Sequence, residues 1–139
     1  MPDHLFVYGT LRAGSVHPMA HRLRVGAKHL GRGNAPGLLY DFGDHPGALF
    51  DPNAKYRVIG DVFELKAGPR LLADLDRYEG FTGADNDVFR RIAVEVALDL
   101  GGTLEAWAYN LCKAPRARLI GSGDFIADRR MRVPRAARP

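Results

Sequence analysis

The stretch from Val88 to Leu100 constrains the fold more than any other part of this sequence. Its apolar side chains alternate with other residues at a period of two, which is typical of a β-strand with one buried face. Gly101-Gly102 follows directly, and two glycines between apolar runs predict a tight hairpin. The second strand of that hairpin is predicted over residues 103–111.

Shorter apolar runs predict further strands in addition to this hairpin. Few segments have a helical pattern. The predicted strands are residues 5–8, 38–40, 48–50 and 58–65. Gly60 lies inside the last of them, and an interior glycine indicates a bulge or a sharply curved strand. Between residues 30 and 51, glycine and proline interrupt the pattern often, so we expect turns there. Curved strands with two or three short helices predict an α+β fold, a compact mixed or antiparallel β-barrel.

The clearest helix is predicted over residues 69–79. Pro69 suits a first helical turn, and Gly80 suits a left-handed end. Leucines fall on one face of this segment, which is therefore expected to be buried. A weaker helical pattern covers residues 17–28, with Pro18 near its start.

The charge of the chain is concentrated at one end. Residues 113–139 carry eight Lys and Arg against two Asp, whereas residues 1–112 carry twelve basic and fourteen acidic side chains. We expect residues 1–128 to form a single domain and residues 129–139 to form a basic, flexible tail. This tail has no aromatic side chains on which bases could stack, so nucleic acid is not an expected partner.

The remaining composition argues for a cytoplasmic protein. Cys112 is the single cysteine, which excludes an internal disulfide and fits a reducing compartment. No secretory signal pattern is present, and no apolar run approaches the roughly 20 residues that span a bilayer. We therefore expect no membrane association.

The first predicted strand ends at Gly9, followed by Thr10. Glycine lets a ligand come close to the main chain, and the N–H groups of residues 9–12 can converge on a carboxylate or an oxyanion. The alternative is a plain strand end with a tight turn.

Glu79 is the candidate general base. It lies four residues after Leu75 and seven after Leu72, so it should point toward the buried face of its helix. It also ends that helix, where the macrodipole opposes a negative charge by roughly 0.3–1 kcal/mol. Burial and dipole both raise its pKa, as a base working near neutral pH requires. The alternative is a partly exposed Glu79 paired with Arg90 or Arg91.

No metal or cofactor is expected. His17, His21 and His29 have no acidic or cysteine partner at a matching interval. The glycine spacing between residues 31 and 47 matches neither a dinucleotide-binding nor a phosphate-binding loop.

Several short motifs occur in a fixed order between residue 4 and about residue 125. They are Tyr8-Gly9-Thr10-Leu11, Gly37-Leu38-Leu39-Tyr40, Pro46-Gly47, Gly60-Asp61-Val62-Phe63, Leu75-Asp76-Arg77-Tyr78-Glu79-Gly80, Phe89-Arg90-Arg91, Val94-Glu95-Val96, Ala106-Trp107-Ala108-Tyr109 and Ser122-Gly123-Asp124-Phe125. In this order and spacing, the chain resembles the γ-glutamylcyclotransferase-like family of small barrels.

The resemblance implies an enzyme that cyclises a γ-glutamyl group to 5-oxoproline and releases an amine or amino acid. It implies that Glu79 is the acid/base and that a small-molecule γ-glutamyl substrate is the partner of a monomer or homodimer. The substrate-binding residues it implies are Tyr8, Gly9, Thr10, Leu11, Tyr109 and, as a further pocket wall, Tyr40. The alternative is a non-catalytic module that binds a small molecule on the same barrel.

Overall fold

A computed structural model describes residues 2–12, 18–66 and 68–132 of the chain. In chain order, its elements are β1 (His4–Val7), α1 (Pro18–Gly26), β2 (Ala27–Asp41), β3 (Pro46–Phe50), β4 (Arg57–Leu65), α2 (Gly68–Glu79), β5 (Phe89–Leu98), β6 (Thr103–Leu111), β7 (Arg118–Leu119) and α3 (Phe125–Arg132).

Five strands close into a barrel. Each strand pairs with the next in the order β1, β4, β2, β5, β6, and β6 returns to β1. The pairing of β1 with β6 is parallel and the other four are antiparallel, while β3 lies between β2 and β6 and β7 pairs with β2. The predicted α+β barrel is therefore confirmed as a closed mixed barrel with extra strands and three described helices.

The hairpin of β5 and β6 forms as predicted. Its register runs from Phe89 opposite Leu111 to Ala97 opposite Thr103. The connecting Gly101-Gly102 has φ angles of 112° and 82°, a region that favours glycine because it has no Cβ. The alternating pattern of this segment therefore predicted both strands, and the two glycines predicted the turn.

Strand β2 is much longer than the sequence indicated. The prediction covered only residues 38–40, but the strand runs over fifteen residues and includes the glycines that were expected to break it. These glycines permit close approach of neighbouring strands, since a Cβ at Gly33 would lie 2.9 Å from the carbonyl oxygen of Ala97. Pairing through Gly60 is regular; the register shift lies on β2 between His29 and Gly31.

Strand β1 is shared by two hydrophobic clusters. Phe6 and Tyr8 point into the cluster that fills the barrel, whereas Leu5 and Val7 join the cluster that packs against α1 and α2. This period-two division places the end of β1 where barrel and helices meet. The residues that follow β1 therefore lie against the C-terminal end of α2.

Helix α2 confirms the predicted segment. Leu71 and Leu75 are buried on its inner face. Its end has the expected left-handed glycine, Gly80, with a φ of 73°. The N–H of Phe81 donates to the carbonyl of Asp76 over 2.8 Å, which closes the last turn and fixes the direction of Glu79.

The remaining helices agree in part with the expectations. Helix α1 begins at Pro18, and residue 17 of the predicted segment lies outside the described residues. Helix α3 continues through Arg132, four residues past the predicted domain boundary, while residues 133–139 lie outside the described part; the domain division stays a prediction. No helix in the described ranges is both long and apolar enough to cross a membrane.

Candidate active site

A cavity of about 590 Å³ lies beside the end of β1. It is lined by residues 6–11, 44–46, 78–79, 88–89 and Tyr109. These belong to β1 and its following bend, the β2–β3 loop, the end of α2, the start of β5, and β6. The closed barrel therefore brings five separate parts of the sequence to one concave site.

Most of the site residues expected from the sequence meet in this cavity. The members are Tyr8, Gly9, Thr10, Leu11, Glu79 and Tyr109. Tyr40 is not among the described residues that line it. Its side chain packs against the hydrophobic cluster that also contains Leu11 and Tyr109, so its place as a further pocket wall stays a prediction.

Glu79 presents a carboxyl group to this cavity from the last residue of α2. Burial raises its pKa from 4.5 to about 7, because a charged carboxylate loses hydration there. The alternative of an ion pair with Arg91 is not realised, since Arg91 Nε lies 2.9 Å from Asp76 Oδ1 instead. Within the described ranges, no side chain hydrogen-bonds or forms an ion pair with Glu79.

Two tyrosines flank the carboxyl group as neutral hydroxyls. Burial raises the pKa of both Tyr8 and Tyr109, and the negative charge of Glu79 raises each further. The Tyr8 hydroxyl donates to the carbonyl of Tyr109 over 2.6 Å and accepts from the N–H of Ala48 over 3.2 Å. It therefore braces the cavity wall between β6 and β3.

The hydroxyl of Tyr109 is held by a second carboxylate. It donates to Asp76 Oδ1 over 2.6 Å, and Arg91 bonds both oxygens of the same carboxylate. The guanidinium of Arg91 lies 4.3 Å from the ring centroid of Trp107. Sequence reasoning missed this arrangement, although Asp76 precedes Glu79 by three residues and so lies on the same side of the helix.

The bend after β1 forms a turn whose residues line the cavity. The N–H of Arg12 donates to the carbonyl of Gly9 over 3.1 Å, so this N–H is used by the turn itself. No acceptor for the N–H groups of Gly9, Thr10 and Leu11 is present among the described residues. A cradle of main-chain donors at this bend therefore stays a prediction, with the N–H groups of residues 9–11 as the candidate donors.

A buried arginine anchors this bend. Arg12 Nε lies 3.2 Å from Asp61 Oδ2, and its Nη1 lies 2.8 Å from Asp124 Oδ1. Asp124 also accepts from the N–H of Ala127 and so caps the start of α3. Gly9 is needed for a different reason, because a Cβ there would lie 2.8 Å from the ring of Pro46.

The β2–β3 loop supplies a rim that the sequence did not reveal. His45 Nδ1 lies 2.5 Å from Asp44 Oδ1, and the imidazole stacks on Phe42 with centroids 5.3 Å apart. The hydrogen bond from His45 holds the pKa of Asp44 below its usual range, which keeps this carboxylate charged. A turn was expected here, but nothing local signals that it reaches a cavity.

The fold and this cavity together define a small-barrel protein with a partly enclosed cavity that Asp44 and Glu79 line. The sequence matches the model of the gamma-glutamyl cyclotransferase, AIG2-like family over residues 5–127. Because this match covers most of the chain, the protein belongs to that family, whose name denotes a cyclotransferase class of enzyme. None of the curated proteins matches the chain.

Solved structures share the same fold. An uncharacterized protein from Pyrococcus horikoshii is 27% identical, with a TM-score of 0.66 over 94% of this chain and 95% of its own. YkqA from Bacillus subtilis is 23% identical with a TM-score of 0.70, and the match covers 94% of this chain but 42% of YkqA. An AIG2-like protein from Mus musculus is 23% identical with a TM-score of 0.68, over 88% of this chain and 87% of its own.

Proposed function

We propose that this protein is a cyclotransferase that converts γ-glutamyl amines or γ-glutamyl peptides to 5-oxoproline and a free amine or amino acid. One observation carries the proposal. The Glu79 carboxyl has a pKa raised to about 7 by burial, and it lines the same cavity as the main-chain bend at residues 9–11. Membership of the cyclotransferase family supports the reaction class.

The reaction needs a base and an oxyanion cradle in one cavity. Glu79 takes a proton from the substrate α-ammonium, and the freed nitrogen attacks the γ-carbonyl carbon to close a five-membered ring. The N–H groups of residues 9–11 stabilise the oxyanion of the tetrahedral intermediate. The bond to the leaving nitrogen then breaks as Glu79 returns the proton to that nitrogen and the oxyanion collapses to the lactam carbonyl. The ring nitrogen still carries a second proton and a positive charge, and it loses this proton to the Glu79 carboxylate, which passes it to the departing amine. The α-ammonium charge of the substrate thus ends on the released ammonium, and 5-oxoproline leaves with a neutral ring nitrogen.

Positioning provides much of the rate enhancement in this proposal. When the reacting groups are held in a fixed pose, the activation barrier of an intramolecular attack can be lower than that of the reaction in solution by on the order of 7–11 kcal/mol. Tyr8 and Tyr109 hold the cavity walls, because their hydroxyl protons are already donated to groups of the protein. In this proposal, the walls that these two tyrosines hold define the pose of the glutamyl group.

The same proposal covers the setting in which the enzyme works. The partner is a small γ-glutamyl compound rather than a membrane or a nucleic acid. The protein is cytoplasmic and acts as a monomer or a homodimer.

A direct assay tests the function. The purified full chain is incubated with γ-glutamyl amines, γ-glutamyl dipeptides and glutathione, and 5-oxoproline is measured. We expect product from at least one compound, and a loss of about 100-fold or more in Glu79→Gln, because general acid–base catalysis contributes on that scale. Glu105→Gln is the matched control, since Glu105 is exposed on β6 and lies outside the cavity.

Two outcomes would contradict the proposal. Wild-type turnover in Glu79→Gln would remove this carboxyl from the mechanism. Thermal stabilisation by a γ-glutamyl compound, unchanged in Glu79→Gln and without 5-oxoproline from any compound, would favour the non-catalytic binding module.

A further inference from the structure

Arg12 directly follows the bend at residues 9–11, but it is not among the described residues that line the cavity. Its N–H closes the turn onto the carbonyl of Gly9 over 3.1 Å, and the residue is only 6% exposed. A guanidinium keeps its proton in proteins, so it cannot escape the cost of burial by becoming neutral. The end of the bend is therefore fixed by the partners that compensate this buried charge.

Two carboxylates from different parts of the fold share the guanidinium of Arg12. Asp61 on β4 contacts Nε over 3.2 Å, and Asp124, just before α3, contacts Nη1 over 2.8 Å. The N–H groups of arginine form a rigid planar fork, so both contacts also fix the direction of the side chain. The bend is thus tied to the barrel and to α3 at the same time.

Strand β2 holds each of these carboxylates by its other oxygen. Asp61 Oδ1 lies 3.1 Å from His29 Nε2, and Asp124 Oδ2 lies 3.4 Å from Arg32 Nη2. Both of these β2 residues belong to the stretch that pairs with β4. Each carboxylate is therefore held on two sides, and Arg12 joins the two.

The beginning of the bend is restrained as well. Gly9 lies so close to β3 that a Cβ there would be 2.8 Å from the ring of Pro46. Contact with Pro46 at the first residue and ion pairs at Arg12 leave residues 9–11 little freedom to move. Such restraint matters for catalysis, because hydrogen-bond donors stabilise an oxyanion best when they are already in place before it forms.

We infer that Arg12, Asp61 and Asp124 are positioning residues of the proposed cyclotransfer, which hold the N–H groups of residues 9–11 where the oxyanion forms. The inference rests on the proposed function and adds three residues to it. None of the three is among the described residues that line the cavity, so they act through the bend and not on the substrate. Since the oxyanion exists only after attack on the γ-carbonyl, loosening the bend should lower kcat much more than it changes KM.

A substitution at Asp124 separates its two roles. Asp124 bonds Arg12, and it also accepts from the N–H of Ala127 at the start of α3. Serine caps a helix about as well as aspartate does, but its shorter side chain cannot keep the contact with the guanidinium. In Asp124→Ser we expect kcat to fall at least about tenfold and KM to stay within about threefold. The substrate is the compound of the panel above that the wild type turns over fastest.

Asp128→Asn is the matched control for this variant. It removes a carboxylate of the same helix, one that pairs with Arg118 over 2.6 Å and does not contact the bend. Its kcat and KM should equal those of the wild type. Urea denaturation of each variant sets an assay temperature at which the folded state predominates, so that a lower kcat does not reflect unfolded protein.

The conservative variant Arg12→Lys tests both carboxylate contacts at once. It keeps a positive charge between Asp61 and Asp124 but loses the planar fork, and we again expect kcat to fall at least about tenfold. The pH profile shows whether the base has moved. Glu79 lies on α2 with a pKa raised to about 7 by burial, so the midpoint of the kcat/KM profile should stay at the wild-type value in both variants.

The outcomes distinguish this inference from the proposed function. A kcat within about twofold of the wild type in Asp124→Ser would overturn the inference and leave the cyclotransferase intact, and this variant decides the matter even if Arg12→Lys does not fold. A rise in KM without a loss of kcat, an equal loss in Asp128→Asn, or a shifted pH midpoint would overturn it too. An absence of 5-oxoproline from every compound with the wild type would overturn the proposed function and the inference with it.

Discussion

Replacing Glu79 by glutamine should make the protein more stable at neutral and alkaline pH and equally stable in acid. The folded protein holds the Glu79 carboxyl at a pKa of about 7, against 4.5 in the absence of burial. The folded state therefore binds its proton more tightly than the unfolded state does. Between these two pKa values the folded state carries more protons, so the free energy of unfolding falls as the pH rises.

The size of the effect follows from the two pKa values. One pKa unit corresponds to about 1.4 kcal/mol, so a pKa near 7 instead of 4.5 lowers the free energy of unfolding by about 3 kcal/mol above pH 7. Below pH 4.5 both states are protonated and the cost disappears. Glutamine has nearly the same shape and no charge, so Glu79→Gln should recover most of this amount at pH 8 and almost none at pH 4.5.

Urea denaturation of wild type and variant at pH 4.5, 6 and 8 measures the difference directly. Glu105→Gln serves as control, because an exposed glutamate should give a small difference that does not follow this trend. If the stability gain of Glu79→Gln were the same at all three pH values, the carboxyl would not be titrating in a buried site. The reasoning that makes it a base near neutral pH would then fail.

Three further predictions follow from other parts of the structure. The kcat/KM of the wild type should rise with pH through about 7, since Glu79 must lose its proton to act as a base; a profile flat from pH 5 to 9 would contradict this. Asp76→Asn should lower the free energy of unfolding by about 1–3 kcal/mol and reduce kcat/KM, because the Tyr109 hydroxyl loses a charged acceptor. Gly60→Ala should lower the free energy of unfolding by several kcal/mol or prevent folding, because its Cβ would meet a β1 carbonyl oxygen. Gly121→Ala is the control: it has open space around it, so its free energy of unfolding in urea denaturation should stay within about 1 kcal/mol of the wild type.

The parts of the fold that depend on local periodicity could be predicted from the sequence. The β5–β6 hairpin and helix α2 each show an apolar period and a glycine at the turn or end. Strand β2 could not be predicted in the same way. Gly33 and Gly37 resemble breaks when only their neighbours in sequence are considered, but they are required by Ala97 and Leu49, which belong to other strands.

The candidate site also contains some residues that could be predicted from the sequence and others that could not. Glu79 could be found because its position follows from the helix that ends there, and Asp76 could have been found by the same helical spacing. Asp44 and His45 could not, because the β2–β3 loop reaches the cavity only after β2, β3 and β6 have paired. Tyr40 does not line the cavity among the described residues, and a tyrosine in a short motif carries no signal of how near to a cavity its ring will lie.

The anchoring of Arg12 has a consequence for the biosynthesis of this protein. Its second carboxylate partner, Asp124, is translated 112 residues later. A nascent polypeptide still attached to the ribosome at residue 120 can pair β1 with β4, but it cannot yet fix the bend that follows β1. We therefore expect the ligand site to mature only after Asp124 has been synthesised and has left the ribosome, and a truncation before Asp124 to abolish binding even where the barrel strands are complete.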